Sequence, residues 1–391
     1  MIVQSTIREG TMGSDNERNG LMLTADALKK TLDYVFQRNN AIEEADPKGK
    51  AKGTPVCIWG THGIGKTQIV QDYALSHGWK FAYAPVAQFE EFGDLHGLPA
   101  IEDPDPHVDG DERTVFRAPD WVPREPGPGI LLLDDLNRAD DRILRGLMQL
   151  LQTFKLVSWD LPSRWQIVAT ANPEGGDYSV TPMDDAMMTR MLHFSLCFEP
   201  KVWSAWAAET GIDPRCIAFV LTYPETVTGK RTTPRTLVQF FELIKPIKDL
   251  AAEAELVNTL ARSCLDEMTA ASFVSFISGE LEKLVDPAEL LYAPTFEKAE
   301  KRIKEMAAGK QGSKRLDRLA VFMSRILVEI RRPEFDAENV NRENLIQFLL
   351  MADLPNDLRY SFWLEISATK RAEVLALLRD KRLAMITLSG M

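Results

Sequence analysis

Gly60-Thr61-His62-Gly63-Ile64-Gly65-Lys66-Thr67 spells G-x-x-x-x-G-K-T, a spacing that lets backbone N–H groups curl around the phosphates of a nucleoside triphosphate. Gly60, Gly63 and Gly65 permit the tight path, Lys66 would reach the β- and γ-phosphates, and the Thr67 hydroxyl would ligate Mg²⁺. The cradle runs from Gly60 through Thr61, His62 and Ile64 to Gln68, where a helix is expected to aim its N-terminus at the anion. ATP and Mg²⁺ are the expected ligands.

Such a site needs a carboxylate at the end of a neighbouring strand to hold the metal. Ile130-Leu131-Leu132-Leu133, bounded by Gly129 and Asp134, is too short for a helix and reads as a buried central strand, which places Asp134 where that carboxylate is required. Asp135 would polarise the attacking water, or else cap the loop to Asn137. Asn172, in Ala169-Thr170-Ala171-Asn172-Pro173, follows another strand and would orient the water; an Asn-Pro pair there is otherwise a turn. Arg190, in Asp185-Ala186-Met187-Met188-Thr189-Arg190-Met191, stands at a helix end from which a guanidinium can reach a neighbouring subunit's γ-phosphate, or is a surface arginine favoured by the helix dipole. Arg235, in Thr232-Thr233-Pro234-Arg235, opens a helix of a second domain and would close over the nucleotide.

The elements that must position these groups follow from the apolar pattern. Residues 1–20 are polar and punctuated by glycine, a mobile leader. Thr24 can cap a helix with Leu28, Leu32, Val35 and Phe36 at helical spacing, and Glu43–Gly53 is a charged loop. A strand over Pro55–Trp59, a helix over Gln68–His77 and a strand over Phe81–Ala87 follow. An insertion over Glu90–Gly129 carries a hairpin around Val115-Phe116. A helix over Asp140–Phe154 and strands over Trp165–Thr170 and Leu192–Phe198 complete an α/β fold, a P-loop core of parallel sheet wrapped by helices, across residues 21–199. Beyond Pro200 strand signals fade into helices separated by prolines, expected as an α-helical lid over 200–290 and a helical C-terminal extension over 291–391.

The 391 residues are 45% hydrophobic with a formal charge of −11, enough to bury a sizeable core. The acidic balance argues against sequence-independent nucleic-acid binding, which depends on clustered Lys and Arg. From Phe296 onward 18 Lys and Arg face 14 Asp and Glu, so the acidic excess sits in residues 1–295. Cys57, Cys197, Cys216 and Cys264 are widely spaced and read as buried apolar residues of a reducing compartment. His62, His96 and His107 lack metal-ligand spacing. With no signal-like leader and no apolar stretch of spanning length, the expected location is cytoplasmic, without membrane contact.

In this order and spacing the motifs resemble those of the AAA+ ATPases, and within them the MoxR family. Leu131–Ala139 resembles that family's D-E-I-N-R-A element, Trp165–Pro173 its V-I-A-T-x-N-P segment, Asp185–Met191 its arginine-finger helix, and Thr233-Pro234-Arg235 its S-P-R motif. The resemblance spans about residues 20–290 and implies Lys66 and Thr67 on phosphate and magnesium, Asp134 on magnesium, Asp135 as base, Asn172 as first sensor, Arg190 as a finger acting in trans and Arg235 as second sensor. It also implies a homo-hexameric ring that hydrolyses ATP to remodel, activate or mature a client protein, in this family often one with a von Willebrand factor A domain. The Glu90–Gly97 piece resembles the approach to a pore-facing hairpin. Asp135 departs from the family's glutamate and Met191 from its phenylalanine. Two other functions stay open at this point: a nucleic-acid motor or loader on the same core, and a slow nucleotide-gated scaffold, which the short Asp135 side chain suggests.

Overall fold

The computed structural model describes residues 19–46, 51–103, 112–173, 180–228, 231–280, 284–308, 314–331, 335–369 and 371–383. His107 and most of the leader lie outside them. The chain divides into two compact units, residues 1–198 and 199–391.

In chain order the first unit contains β1 (Leu21–Leu23), α1 (Ala25–Glu44), β2 (Val56–Trp59), α2 (Lys66–Ser76), β3 (Lys80–Ala84), α3 (Phe92–His96), β4 (Leu98–Glu102), β5 (Arg113–Arg117), β6 (Gly129–Leu133), α4 (Asp141–Thr153), β7 (Lys155–Leu156), β8 (Trp159–Asp160), β9 (Trp165–Ala171), α5 (Asp185–Met188) and β10 (Leu192–Leu196). Six strands form one sheet in the order β1-β10-β2-β9-β6-β3, every neighbouring pair parallel. Strands β2, β6 and β9 are buried on both faces, which is why β2 and β6 read as unbroken apolar runs instead of alternating ones and β9 departs from one at Gln166 and Thr170.

Their side chains nevertheless alternate between two cores. Val56, Ile58, Ile130, Leu132 and Val168 pack with Leu28, Leu32 and Phe36 of α1 and with Val70, Tyr73 and Ala74 of α2. Cys57, Trp59, Leu131, Leu133, Ile167 and Ala169 face the other way, onto Ile143, Leu144, Leu147, Leu150 and Leu151 of α4. Helix α1 starts at Thr24, whose hydroxyl accepts from Ala27 N–H at 3.3 Å, and α4 at Asp140, which accepts from Arg142 N–H at 2.8 Å; each cap satisfies a donor that the helix itself leaves open.

Several expectations are corrected. Helix α1 runs on to Glu44, into the expected loop. The third strand ends at Ala84, not Ala87, because Pro85 ends the ladder and Val86–Gln88 form a single 3-10 turn. The edge strand β1 and the short β7–β8 ribbon were not foreseen; each has three residues or fewer, too few to show a period. In the insertion, Val115 and Phe116 lie on β5, paired antiparallel with Ala100 and Pro99 of β4. Cys57 and Cys216 are buried, whereas Cys197 and Cys264 are partly exposed.

The second unit's named elements are helical. It contains α6 (Pro200–Glu209), α7 (Pro214–Thr222), α8 (Pro234–Ile244), α9 (Ala254–Cys264), α10 (Glu267–Ser275), α11 (Pro287–Leu291), α12 (Phe296–Ala307), α13 (Leu316–Arg331), α14 (Arg342–Leu350), α15 (Asn356–Ala368) and α16 (Ala372–Leu377). Phe273 sits at the centre of an aromatic cluster, with edge-on contacts to Phe240 at 4.9 Å and Phe219 at 5.0 Å. Helix α13 packs on α6 and α7, so helices from both sides of residue 290 share one packed body. No helix among the described residues is long and apolar enough to cross a membrane.

Candidate nucleotide-binding site

Parallel register brings the chemistry to one edge of the sheet. Trp59 pairs with Ala171 and Leu133 with Ala169, so the residues next along each strand, Gly60, Asn172, Asp134 and Thr170, emerge side by side. This is the carboxyl edge of an open α/β sheet, where such folds bind ligands.

The loop after β2 turns into α2 through Gly63 and Gly65, at φ 70° and 103°, backbone that glycine adopts without the Cβ penalty. Gly60 is crowded for a different reason: a Cβ there would lie 3.1 Å from Ile64 Cγ2, which would have to give way by a few tenths of an ångström. Gly65 at the N-cap has no side chain to cap α2, and a helix N-terminus presented in this way suits an anion. Lys66 is buried, and its Nζ donates to Gly60 O at 2.7 Å, Thr61 O at 3.2 Å and Asn172 Oδ1 at 2.9 Å. Thr61, His62 and Gln68 are exposed; the Gln68 amide turns along the helix to Asp72 at 2.7 Å.

Asp134 is held at both oxygens. Oδ1 accepts from the Thr67 hydroxyl at 2.8 Å and the Thr170 hydroxyl at 2.6 Å, and Oδ2 from the Tyr83 hydroxyl at 3.0 Å. A threonine hydroxyl beside a carboxylate, both oxygen donors and only one hydrogen bond apart, fits a hard cation such as Mg²⁺.

Asp135 adopts left-handed backbone at φ 50°, a sparsely populated region that aspartate tolerates better than most residues. Its N–H donates to Thr170 Oγ1 at 2.8 Å and its Oδ1 accepts from Asn172 Nδ2 at 2.9 Å. Although it occupies the cap position of the Leu136–Arg138 turn, its side chain makes no cap bond; the carboxylate instead faces Asn172 and, at 3.5 Å, the guanidinium of Arg138. Asn172, 3% exposed, therefore bridges a lysine and a carboxylate through the two ends of one amide.

Arg190 lies beyond α5, outside this cluster. Its Nε and Nη2 donate to Gln152 Oε1 at 3.3 and 3.2 Å, and its Nη1 to Ala186 O. Arg235 belongs to the second unit, where it is exposed in the first turn of α8.

Four further residues complete the picture. Asn137, 1% exposed, donates to Asn172 O at 2.7 Å and accepts from Asn172 N–H at 3.0 Å. Thr170 and Tyr83 orient Asp134. His193 accepts at Nδ1 from Trp59 Nε1–H at 2.9 Å, so the remaining proton sits on Nε2, facing Met188 O at 2.7 Å; burial holds this imidazole below its ordinary pKa. A signal for Thr170 was present: a polar residue near the carboxyl end of a strand otherwise apolar around it. Tyr83 and His193 carried none.

Residues 55–191 match the AAA domain, dynein-related subfamily. The match runs from the residue before β2 to the residue before β10 and takes in Lys66, Asp134, Asn172 and Arg190. No curated protein matches the chain. Among solved structures it is similar to the Thermotoga maritima RuvB Holliday junction branch migration motor, at 15% identity over 71% of this chain and 94% of that one, with a TM-score of 0.38. It is similar also to a proline-to-glycine mutant of that RuvB, at 16% identity over 72% and 97%, with a TM-score of 0.39. Likeness at this level says nothing of what this chain binds.

Proposed function

We propose that this chain is a magnesium-dependent ATPase of MoxR type that works in the cytoplasm as a homo-hexameric ring and spends hydrolysis on remodelling, activating or maturing a client protein. The observation that carries the reading is the convergence of Lys66, Thr67, Asp134, Asp135 and Asn172 at one sheet edge, joined by hydrogen bonds. Lys66 and the first-turn N–H groups of α2 bind phosphate oxygens, and Thr67 and Asp134 hold Mg²⁺, which when bound neutralises phosphate charge. Asp135 accepts a proton from the attacking water while the Asn172 amide fixes where that carboxylate points. Arg190 acts on a neighbouring subunit's site and Arg235 as second sensor, with residues 200–290 as lid and 291–391 as extension. A client with a von Willebrand factor A domain follows from the family resemblance alone.

The test is steady-state ATP turnover by the wild type and Lys66→Ala, with native mass measured for Asp135→Asn in MgATP. Turnover that survives Lys66→Ala, or an Asp135→Asn protein that stays monomeric with nucleotide bound, would count against the reading. Turnover stimulated by DNA at low salt would favour a nucleic-acid motor instead.

A further inference from the structure

Asn137 grips Asn172 by its backbone on both sides, accepting from its N–H and donating to its C=O. Such a bridge fixes position and orientation together, as a rung of sheet would. The asparagine's own backbone carries the connection onward. Its carbonyl accepts from Thr181 N–H at 2.7 Å, and two residues later Ala139 O accepts from the Thr181 hydroxyl at 2.8 Å. From Thr181 the chain passes through buried Met183 to Asp184, which caps α5 by accepting from Met187 N–H at 2.7 Å. Met187 and Met191 lock that turn into the same core as Leu136 and Ala139, and Arg190 stands between them. The route thus runs from Lys66 to Asn172, to Asn137, to Thr181, to the Arg190 turn, through bonds whose buried members tolerate no unpaired state cheaply.

We propose that Asn137 is a positioning residue that couples the phosphate site of one subunit to the Arg190 turn which that subunit offers to the next. The inference rests on the ATPase reading above and adds to it the means by which adjacent sites respond to one another. A change in what Lys66 and Asp135 bind alters the pull on the Asn172 amide; the Asn137 bridge moves with its backbone, and the Thr181 anchor passes the shift to α5.

The experiment is hydrogen exchange on the full chain with and without magnesium ATPγS, following amides 66–76 and 185–191. In the wild type both segments should slow by about tenfold or more on binding. In Asn137→Ala, 66–76 should slow as before while 185–191 no longer responds. Thr181→Val, a near-isosteric change at a half-buried position, covers the case in which Asn137→Ala fails to fold, and should weaken the 185–191 response by about twofold or more. A response at 185–191 that is missing from the wild type, or that survives intact in the variants, overturns the proposal. If 66–76 of the wild type ignores the nucleotide, the failure belongs to the ATPase reading instead.

Discussion

Two asparagines in the first unit make the same contact at opposite edges of the sheet. Asn39 accepts from Thr54 N–H at 3.0 Å and donates to Thr54 O at 3.0 Å, as Asn137 does with Asn172. Asn39 also meets Gln166 of β9 at 2.9 Å, and Gln166 in turn reaches Asn40 at 2.8 Å. Within that amide network every partner is neutral, and it ties α1 to the approach to β2 and to β9. At the other edge the bridged residue spans Lys66 and Asp135, a cation and an anion. Burial of amides is common to both, so burial does not mark a site; what marks it is that the amides at one edge are spent on orienting charge. A structural network tolerates any arrangement that satisfies its donors, whereas a catalytic one must also hold its groups for a ligand.

The comparison can be broken most directly at the charged edge. Lys66→Ala should lower ATP turnover by about 10³-fold in a protein that stays folded, because it removes a preorganised positive group from the phosphate site. Next, Asn172→Ala and Asn39→Ala should separate the two edges: the former lowers turnover by about 10²-fold or more, and the latter costs about 1–3 kcal/mol of stability by leaving Thr54 and Gln166 unsatisfied, with turnover per folded molecule unchanged. Denaturant titration beside a steady-state assay reads both, and equal turnover losses at the two edges would erase the distinction.

Asp135→Glu sharpens it further. The added methylene carries the carboxylate farther toward a water, and turnover should rise by up to about tenfold, given how steeply rate depends on placement near 1 Å. Loss of activity in that variant would mean that the 2.9 Å contact to Asn172 already sets the reach.

The smallest effect concerns pH. His193 is neutral between Trp59 and Met188, and burial lowers its pKa from 6.5. The unfolded chain therefore binds more protons between the two values. This residue's contribution is whole above pH 6.5 and is lost as pH falls from there toward the lower folded value. The thermal midpoint of the wild type should accordingly drop more than that of His193→Gln between about pH 7.5 and about pH 5.5. Parallel curves for the two proteins would remove His193 from the account.

Much of this was legible in the residues alone. A P-loop is built from local backbone, so Gly63, Gly65, Lys66 and Thr67 announce it within eight positions, and the apolar runs at β2, β6 and β9 are long enough to declare buried strands and the carboxylate that ends one of them. The residues that escaped were of another kind. Asn137 could be read only as a loop residue, and Tyr83 only as part of a strand, because their partners lie 35 and 51 positions away. Local pattern determined which elements form and which side chains carry the chemistry. The parallel order of six strands alone decided that Tyr83, Asp134, Thr170 and Asn172 would meet, since hydrogen bonds between distant segments depend on register, and register is a property of the assembled sheet.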